Sequence, residues 1–413
     1  MLVKISPSRI EGTIEAPPSK SYAHRLLIAA YLSGERVSVL CKDPSEDVLA
    51  TAGALRSMGA EVSFSDNTIT LKRCALPAGR ISVDCGESGS TLRFLLPVAC
   101  ALGIKADFMG RGRLLSRPVD ALTEVLNAHG GKVSGLSVSG KLTPGVYEID
   151  ASLSSQYVSG LLFALCMLDG ESEIVIKGER VSAPYIDMTV EVLKRFGASV
   201  AVTANGFKVR PGLCCKEEFF IPEGDWSNAA FALTAGALCG NVTVTGLNAA
   251  SCQGDRRILE VLEMLGAKVT ADKTAVNAQR GELRPVSADI TDIPDLAQII
   301  AVAAAFAPGT SVIKNAARLK IKESDRISAI ISTLGAAGIS AQYSGGDIII
   351  HGGAPHGGEF SGGKDHRTVM SAAVLAAAAR GDSVISGAEA VNKSYPAFFK
   401  DLVKLGGKAD VRI

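Results

Sequence analysis

Met58-Gly59-Ala60-Glu61-Val62 is the stretch from which the fold can be read, because it recurs. A helix-like segment ends, Gly and a small residue follow, and a strand-like segment begins. The same signature stands at His129-Gly130-Gly131-Lys132-Val133, Phe196-Gly197-Ala198-Ser199-Val200 and Leu265-Gly266-Ala267-Lys268-Val269. Looser copies are Ala337-Gly338-Ile339-Ser340-Ala341 and Leu405-Gly406-Gly407-Lys408-Ala409. The spacing stays near roughly 70 residues, longer than the roughly 20–50 residues of open solenoid arrays. A closed arrangement of six α/β modules follows, three per lobe, with a cleft between the lobes. A Gly at that place suits the left-handed residue that ends a helix.

Each copy predicts two helices by apolar spacing and by the residues at their starts. The expected pairs are 19–33 with 45–57, 89–102 with 117–128, and 154–168 with 183–196. The remaining pairs are 226–238 with 255–265, 295–306 with 324–336, and 366–379 with 396–405. Pro118 reads as the opening residue of its helix. Short β-rich runs such as 173–177, 241–245 and 347–351 lie between helices.

Composition narrows the function classes. The chain has 413 residues, 47% hydrophobic and 21% charged, which describes a globular protein with large cores. A net charge of +1 gives no global field toward nucleic acid or membrane. Residues 1–18 hold no apolar signal core, and no apolar run reaches a membrane span of about 18 residues. The nine cysteines are scattered without C-x-x-C, as in a reducing cytoplasm. The five histidines show no metal-ligand spacing, so no metal is expected.

Polar clusters stand at helix starts, where free N–H groups and the helix dipole favour anions. They are Ser19-Lys20-Ser21 with His24-Arg25, Glu87-Ser88-Gly89-Ser90 with Arg93, and Ser154-Ser155-Gln156-Tyr157. Others are Arg111, Arg113 and Arg117, Pro294-Asp295, Lys322-Glu323-Ser324-Asp325-Arg326, and Asp365-His366-Arg367. Any one of these reads as a cap or a solvated face. Their equivalent places in successive repeats, and their cations, favour a shared anion site. Gly358 to Lys364 fits a phosphate-loop pattern, but Asp365 follows where Ser or Thr should bind magnesium. Gly110-Arg111-Gly112 lacks the third Gly of a dinucleotide fingerprint.

Taken in order, these motifs, with Pro184-Tyr185-Ile186-Asp187 and Glu223-Gly224-Asp225, resemble the motif series of the EPSP synthase family over nearly the whole chain. The resemblance implies a two-lobed inverse α/β barrel of six βαβαββ repeats. One lobe would span residues 17–222, and the other would join 1–16 to 223–413. It implies transfer of the enolpyruvyl group of phosphoenolpyruvate to the 5-hydroxyl of shikimate 3-phosphate, by a cytoplasmic monomer without cofactor. Lys20, Ser21, Arg25, Ser154, Ser155, Gln156, Ser182, Tyr185, Asp295 and Lys322 would hold shikimate 3-phosphate. Lys20, Gly89, Arg117, Gln156, Arg326, Arg367 and Lys393 would hold phosphoenolpyruvate. Asp295 would take the hydroxyl proton and Glu323 would protonate the methylene, with Lys20 or Lys393 assisting at the leaving phosphate.

Two ligands that each carry a carboxylate and a phosphate require charge-assisted contacts, which fits so many Lys and Arg gathered in a near-neutral chain. The alternative within the fold is transfer to UDP-N-acetylglucosamine. That sister family carries a reactive Cys or Asp where this chain has Gly112. A non-catalytic anion-binding protein of the same fold would be expected to lose Asp295, Glu323 or Lys20, and all three are present. Glu87, Phe94, Arg318 and Pro18 depart from the commonest residues of the family at their positions.

Overall fold

All six repeat glycines take the left-handed conformation, with φ between 76° at Gly338 and 97° at Gly59 and Gly266. A side chain other than Gly is disfavoured there, so the six positions share one backbone demand. The computed structural model describes residues 1–412 and contains the helices that the repeat predicts. They are α1 (Lys20–Ser33), α2 (Glu46–Ser57), α3 (Gly89–Leu102), α4 (Asp120–Ala128), α5 (Ser155–Leu165) and α6 (Ala183–Arg195). After them come α7 (Trp226–Cys239), α8 (Ile258–Leu265), α9 (Ala297–Ala305), α10 (Arg326–Ala336), α11 (His366–Ala378) and α12 (Phe398–Lys404).

Three starts differ from expectation. The helix expected from 117 begins at Asp120, because Arg117 ends a 3-10 turn at Gly112–Ser116 and stays extended at ψ 133°. Pro118 therefore lies two residues ahead of the helix, with Val119 between them as its N-cap, and does not open it. The segments expected from 255 and 295 start as 3-10 turns, at Gly254–Arg257 before α8 and at Pro294–Leu296 before α9.

The chain divides into two compact units. Pro18–Pro222 is continuous; Met1–Pro17 and Glu223–Ile413 form a discontinuous one. Among the described residues there are six sheets of four strands. In each, two parallel strands lie beside an antiparallel pair, as a βαβ crossover followed by a second helix and a hairpin produces.

Only three sheets are built from one uninterrupted βαβαββ segment. The sheet of Val37–Leu40 takes its first strand, Phe219–Phe220, from the far end of the continuous unit. The sheet of Gly240–Thr245 takes Ile10–Glu15, and that of Ser383–Ser386 takes Leu2–Ser6. The borrowed strands from the first residues explain why one unit is discontinuous.

The first helix of each repeat is apolar nearly all round. Every residue of α9 and nearly all of α11 and α5 are buried, so these helices run through the cores. The second helices are amphipathic; α4 buries only Leu122 and Leu126. A helix buried on all sides can carry polar groups cheaply only near its ends. The chemistry is thereby concentrated at the helix starts. Among the described residues no helix is long and apolar enough to cross a membrane. All nine cysteines are free.

Candidate active site

In the continuous unit, Ser19 caps α1 by accepting from the Tyr22 N–H. Lys20, the first residue of α1, reaches Asp47 Oδ2 at 3.0 Å. Arg25 is buried; its Nη1 donates to Ser21 O at 2.7 Å, Nη2 to Tyr185 O at 2.8 Å and Nε to Thr189 Oγ1 at 2.8 Å. Its guanidinium lies 5.1 Å from the Phe94 ring centroid, which gives the unusual Phe94 a packing role. Arg25 therefore ties α1 to α6 and places Ser21 and Tyr185 together. Ser182, ahead of α6, holds φ at 52°, an unusual conformation for a residue with a side chain.

Arg93 and Gln156 join α3 to α5. Arg93 Nη1 donates to Gln156 Oε1 at 2.8 Å and Nη2 to Pro118 O at 3.0 Å. Gln156 Nε2 then donates to Ser90 Oγ at 3.0 Å, and Ser154 Oγ accepts from the Gln156 N–H. Gly89 opens α3, and a Cβ there would stand 2.5 Å from Arg117 Nη1. The guanidinium of Arg117 thus rests on the bare backbone at a helix start. The Glu87 carboxylate lies against Gly112, where a Cβ would meet Oε1 at 2.6 Å.

A hydroxyl chain runs beneath these groups. His24 Nδ1 lies 2.7 Å from Thr51 Oγ1, which lies 2.6 Å from Thr91 Oγ1. Thr91 donates to Ser88 Oγ, the cap of α3, at 2.8 Å. With the hydroxyls running in that direction, Nδ1 carries the His24 proton. Burial first, and then the charges of Lys20 and Arg25, lower the His24 pKa well below 6.5. The unfolded chain takes up a proton that the fold refuses, so stability falls as pH drops below about 6.5. The slope is up to about 1.4 kcal/mol per pH unit until the folded-state pKa is reached. Thermal unfolding of His24→Asn from pH 7 to 5 should show a flatter decline than the parent; parallel curves would exclude His24 as the cause.

In the discontinuous unit, one guanidinium organises three carboxylates. Arg326, the first residue of α10, is 1% exposed. Its Nη1 reaches Asp295 Oδ1 at 2.9 Å, Nη2 reaches Glu323 Oε2 at 2.6 Å, and Nε reaches Asp365 Oδ2 at 2.9 Å. Burial would lower the Arg326 pKa, but Asp365, Glu323 and Asp295 outweigh it and raise it. Asp365 is fully buried, caps α11 through the Arg367 N–H, and accepts from Ser324 Oγ at 2.9 Å. Arg367 returns to Asp295, with Nη1 on its carbonyl at 2.9 Å and Nη2 at 3.1 Å from Oδ2.

Asp295 is not a helix cap; it sits within a 3-10 turn, Pro294–Leu296, ahead of α9. Burial would raise its pKa, but Arg367, Lys322 and Arg326 hold it well below the usual carboxylate range. Lys393 Nζ donates to Lys364 O at 2.9 Å. Arg318 Nη2 donates to Thr291 O at 2.6 Å.

Sequence reasoning missed Asp255. It is buried, accepts from Ser227 Oγ, and its carboxyl is pushed up to about 6 by burial and by the nearby charge of Asp295. Its only sequence signal was a place at the start of the fourth repeat's second helix, the counterpart of Lys322-Glu323. Among the described residues no His, Cys, Asp and Glu side chains are grouped as a metal site.

The sequence model of the EPSP synthase family, the 3-phosphoshikimate 1-carboxyvinyltransferases, matches residues 5–402. The chain belongs to the EPSP synthase family. Its relatives include the 3-phosphoshikimate 1-carboxyvinyltransferase of Clostridium kluyveri, 38% identical, with 99% of this chain and 98% of that protein aligned. The enzyme of the same name from Clostridium acetobutylicum is 37% identical, with 98% and 97% aligned. The fold is that of an EPSP synthase from Acinetobacter baumannii, with TM-score 0.82 at 24% identity, covering 99% of this chain and 100% of that one. The enolpyruvyl transferase NikO from Streptomyces tendae shares it at TM-score 0.76 and 18% identity, covering 99% and 98%. The two-lobed α/β fold expected of an EPSP synthase is therefore present.

Proposed function

We propose that this chain transfers the enolpyruvyl group of phosphoenolpyruvate to the 5-hydroxyl of shikimate 3-phosphate, giving EPSP and phosphate in the shikimate pathway. The observation that carries the reading is the Arg326 hub, which gathers Asp295 and Glu323 beside a second cation, Arg367. Addition to an enol phosphate needs a proton delivered to one carbon and removed from the hydroxyl that attacks the next. Two positioned carboxylates supply both transfers.

Glu323 protonates C3 of phosphoenolpyruvate as the 5-oxygen bonds to C2, and Asp295 takes the hydroxyl proton. The depressed pKa of Asp295 makes it a weak base, so it acts as positive charge develops at C2 and acidifies the hydroxyl. Glu323, now a carboxylate, takes a proton back from C3 as the C2–O bond to phosphate breaks, and the leaving phosphate carries off the proton that Asp295 held. Lys20, Arg117, Arg326, Arg367 and Lys393 hold phosphoenolpyruvate and the departing phosphate, with Gly89 and Gln156 shaping that site. Lys20, Ser21, Arg25, Ser154, Ser155, Gln156, Ser182, Tyr185, Asp295 and Lys322 hold shikimate 3-phosphate, Arg25 by positioning Ser21 and Tyr185. The reading places a monomer in the cytoplasm.

Phosphate release from phosphoenolpyruvate tests the reading. Release should require shikimate 3-phosphate; release only with UDP-N-acetylglucosamine would move the chain to the sister reaction, and none with either would remove catalysis. Gly89→Ala makes a finer test. The added methyl pushes the Arg117 guanidinium aside, and losing one charged contact is worth about 1.5–3 kcal/mol. The phosphoenolpyruvate KM should rise about 10- to 100-fold with little change in Tm. An unaltered KM would separate Arg117 from that ligand.

A further inference from the structure

The helices α9, α10 and α11 begin beside Asp295, Arg326 and Arg367. Farther along, the three line a small cavity of about 10 Å³, with Gln298, Ala329, Ile330, Thr333, Thr368 and Ser371 on its wall. Gln298, Thr368 and Ser371 are each 3% exposed and Thr333 is 8% exposed. Gln298 Nε2 donates to Thr368 Oγ1 at 2.6 Å, which joins α9 to α11 and fixes the amide orientation. Gln298 Oε1 and Ser371 Oγ are buried without a hydrogen-bond partner in the protein. Buried polar atoms are rarely left so, and an unpaired pair on adjoining core helices calls for a ligand.

We propose that this cavity binds one structural water, which fixes the three helices under the ionic cluster. The space is near the minimum of about 10–15 Å³ that one water needs, and too small for anything larger. Water can donate to Gln298 Oε1, accept from the Ser371 hydroxyl and donate to Thr333 Oγ1. That gives three bonds on three helices, the usual number for a buried water. Gln298 lies three residues beyond Asp295, and Ser371 four beyond Arg367. A rotation of α9 or α11 that breaks the bridge therefore shifts Asp295 against Arg367. The residues concerned act by positioning and touch no substrate.

A crystal structure of the full chain at about 1.5 Å tests the site without reference to activity. An ordered water about 3 Å from both Gln298 Oε1 and Ser371 Oγ is expected. A dry cavity, or either atom bonded to a protein group, would overturn the site. For the positioning role, Ser371→Ala should lower kcat about three- to tenfold while both substrate KM values stay within about twofold. Ser371→Thr, which restores the hydroxyl, should recover most of the loss. An unchanged kcat in Ser371→Ala would overturn that role, even if Tm falls.

Discussion

Turnover in Asp295→Asn is expected to fall about 10²–10⁴-fold, the range for losing a positioned acid–base group. Asn keeps the shape of the side chain and still offers Oδ1 to Arg326 Nη1, now 2.9 Å away. It cannot take a proton, and its amide nitrogen faces Arg367 Nη2, now 3.1 Å from Oδ2. The fold should survive, because Asp295 is not the partner on which the fully buried Asp365 depends. Single-turnover phosphate release measures the chemical step, and binding titration should leave shikimate 3-phosphate affinity within about tenfold. An unchanged kcat would remove Asp295 from the proton transfer. A parallel loss of binding would make it a ligand rather than a base.

Arg326→Met should act on stability as strongly as on turnover. It removes the Nε partner of Asp365, which is fully buried and lies 2.9 Å away. Breaking a buried ion pair from one side leaves an uncompensated charge and costs about 3–5 kcal/mol. For a unit of this size that is about 6–20 °C in Tm. The sign with pH is fixed as well. In the parent, burial opposes ionisation of Asp365 but Arg326 outweighs it and depresses the pKa. That stability is present above the unfolded carboxylate value of about 3.9 and is lost as pH falls below it. In the variant, Asp365 can escape its charge by protonation. The gap in Tm should therefore narrow as pH is lowered, as calorimetry from pH 7 to 4 can measure. A gap that is constant with pH would mean that lost packing, not the stranded charge, causes the destabilisation.

Much of the architecture was legible before any coordinates. The glycines at 59, 130, 197, 266, 338 and 406 each end a second helix in the left-handed conformation. The helices predicted around them are present within a few residues, save three starts at which 3-10 turns stand. Helix ends and apolar spacing depend on residues a few positions apart, so they are written locally. The polar clusters were legible for the same reason: a core helix leaves its chemistry at its start. Motif order then pointed to the EPSP synthase family and to Asp295, Glu323 and Lys20.

Other features depended on residues far apart in the chain. No local pattern says that Phe219–Phe220, Ile10–Glu15 and Leu2–Ser6 complete sheets begun elsewhere. Arg326 read as one cation in a charged helix start, yet it is the buried centre of three carboxylates. Arg25 read as a ligand group, yet its donors tie α1 to α6. Asp255 gave almost no signal, because its raised pKa comes from burial and from Asp295, 40 residues away. The sequence alone determined the repeat, the helices and the family, since backbone conformation and apolar periodicity are short-range properties. Only the tertiary structure decided which charges meet and which protons are held. Those follow from burial and from distances of about 3 Å between residues tens of positions apart, where the energy of a charge depends on its neighbours in space.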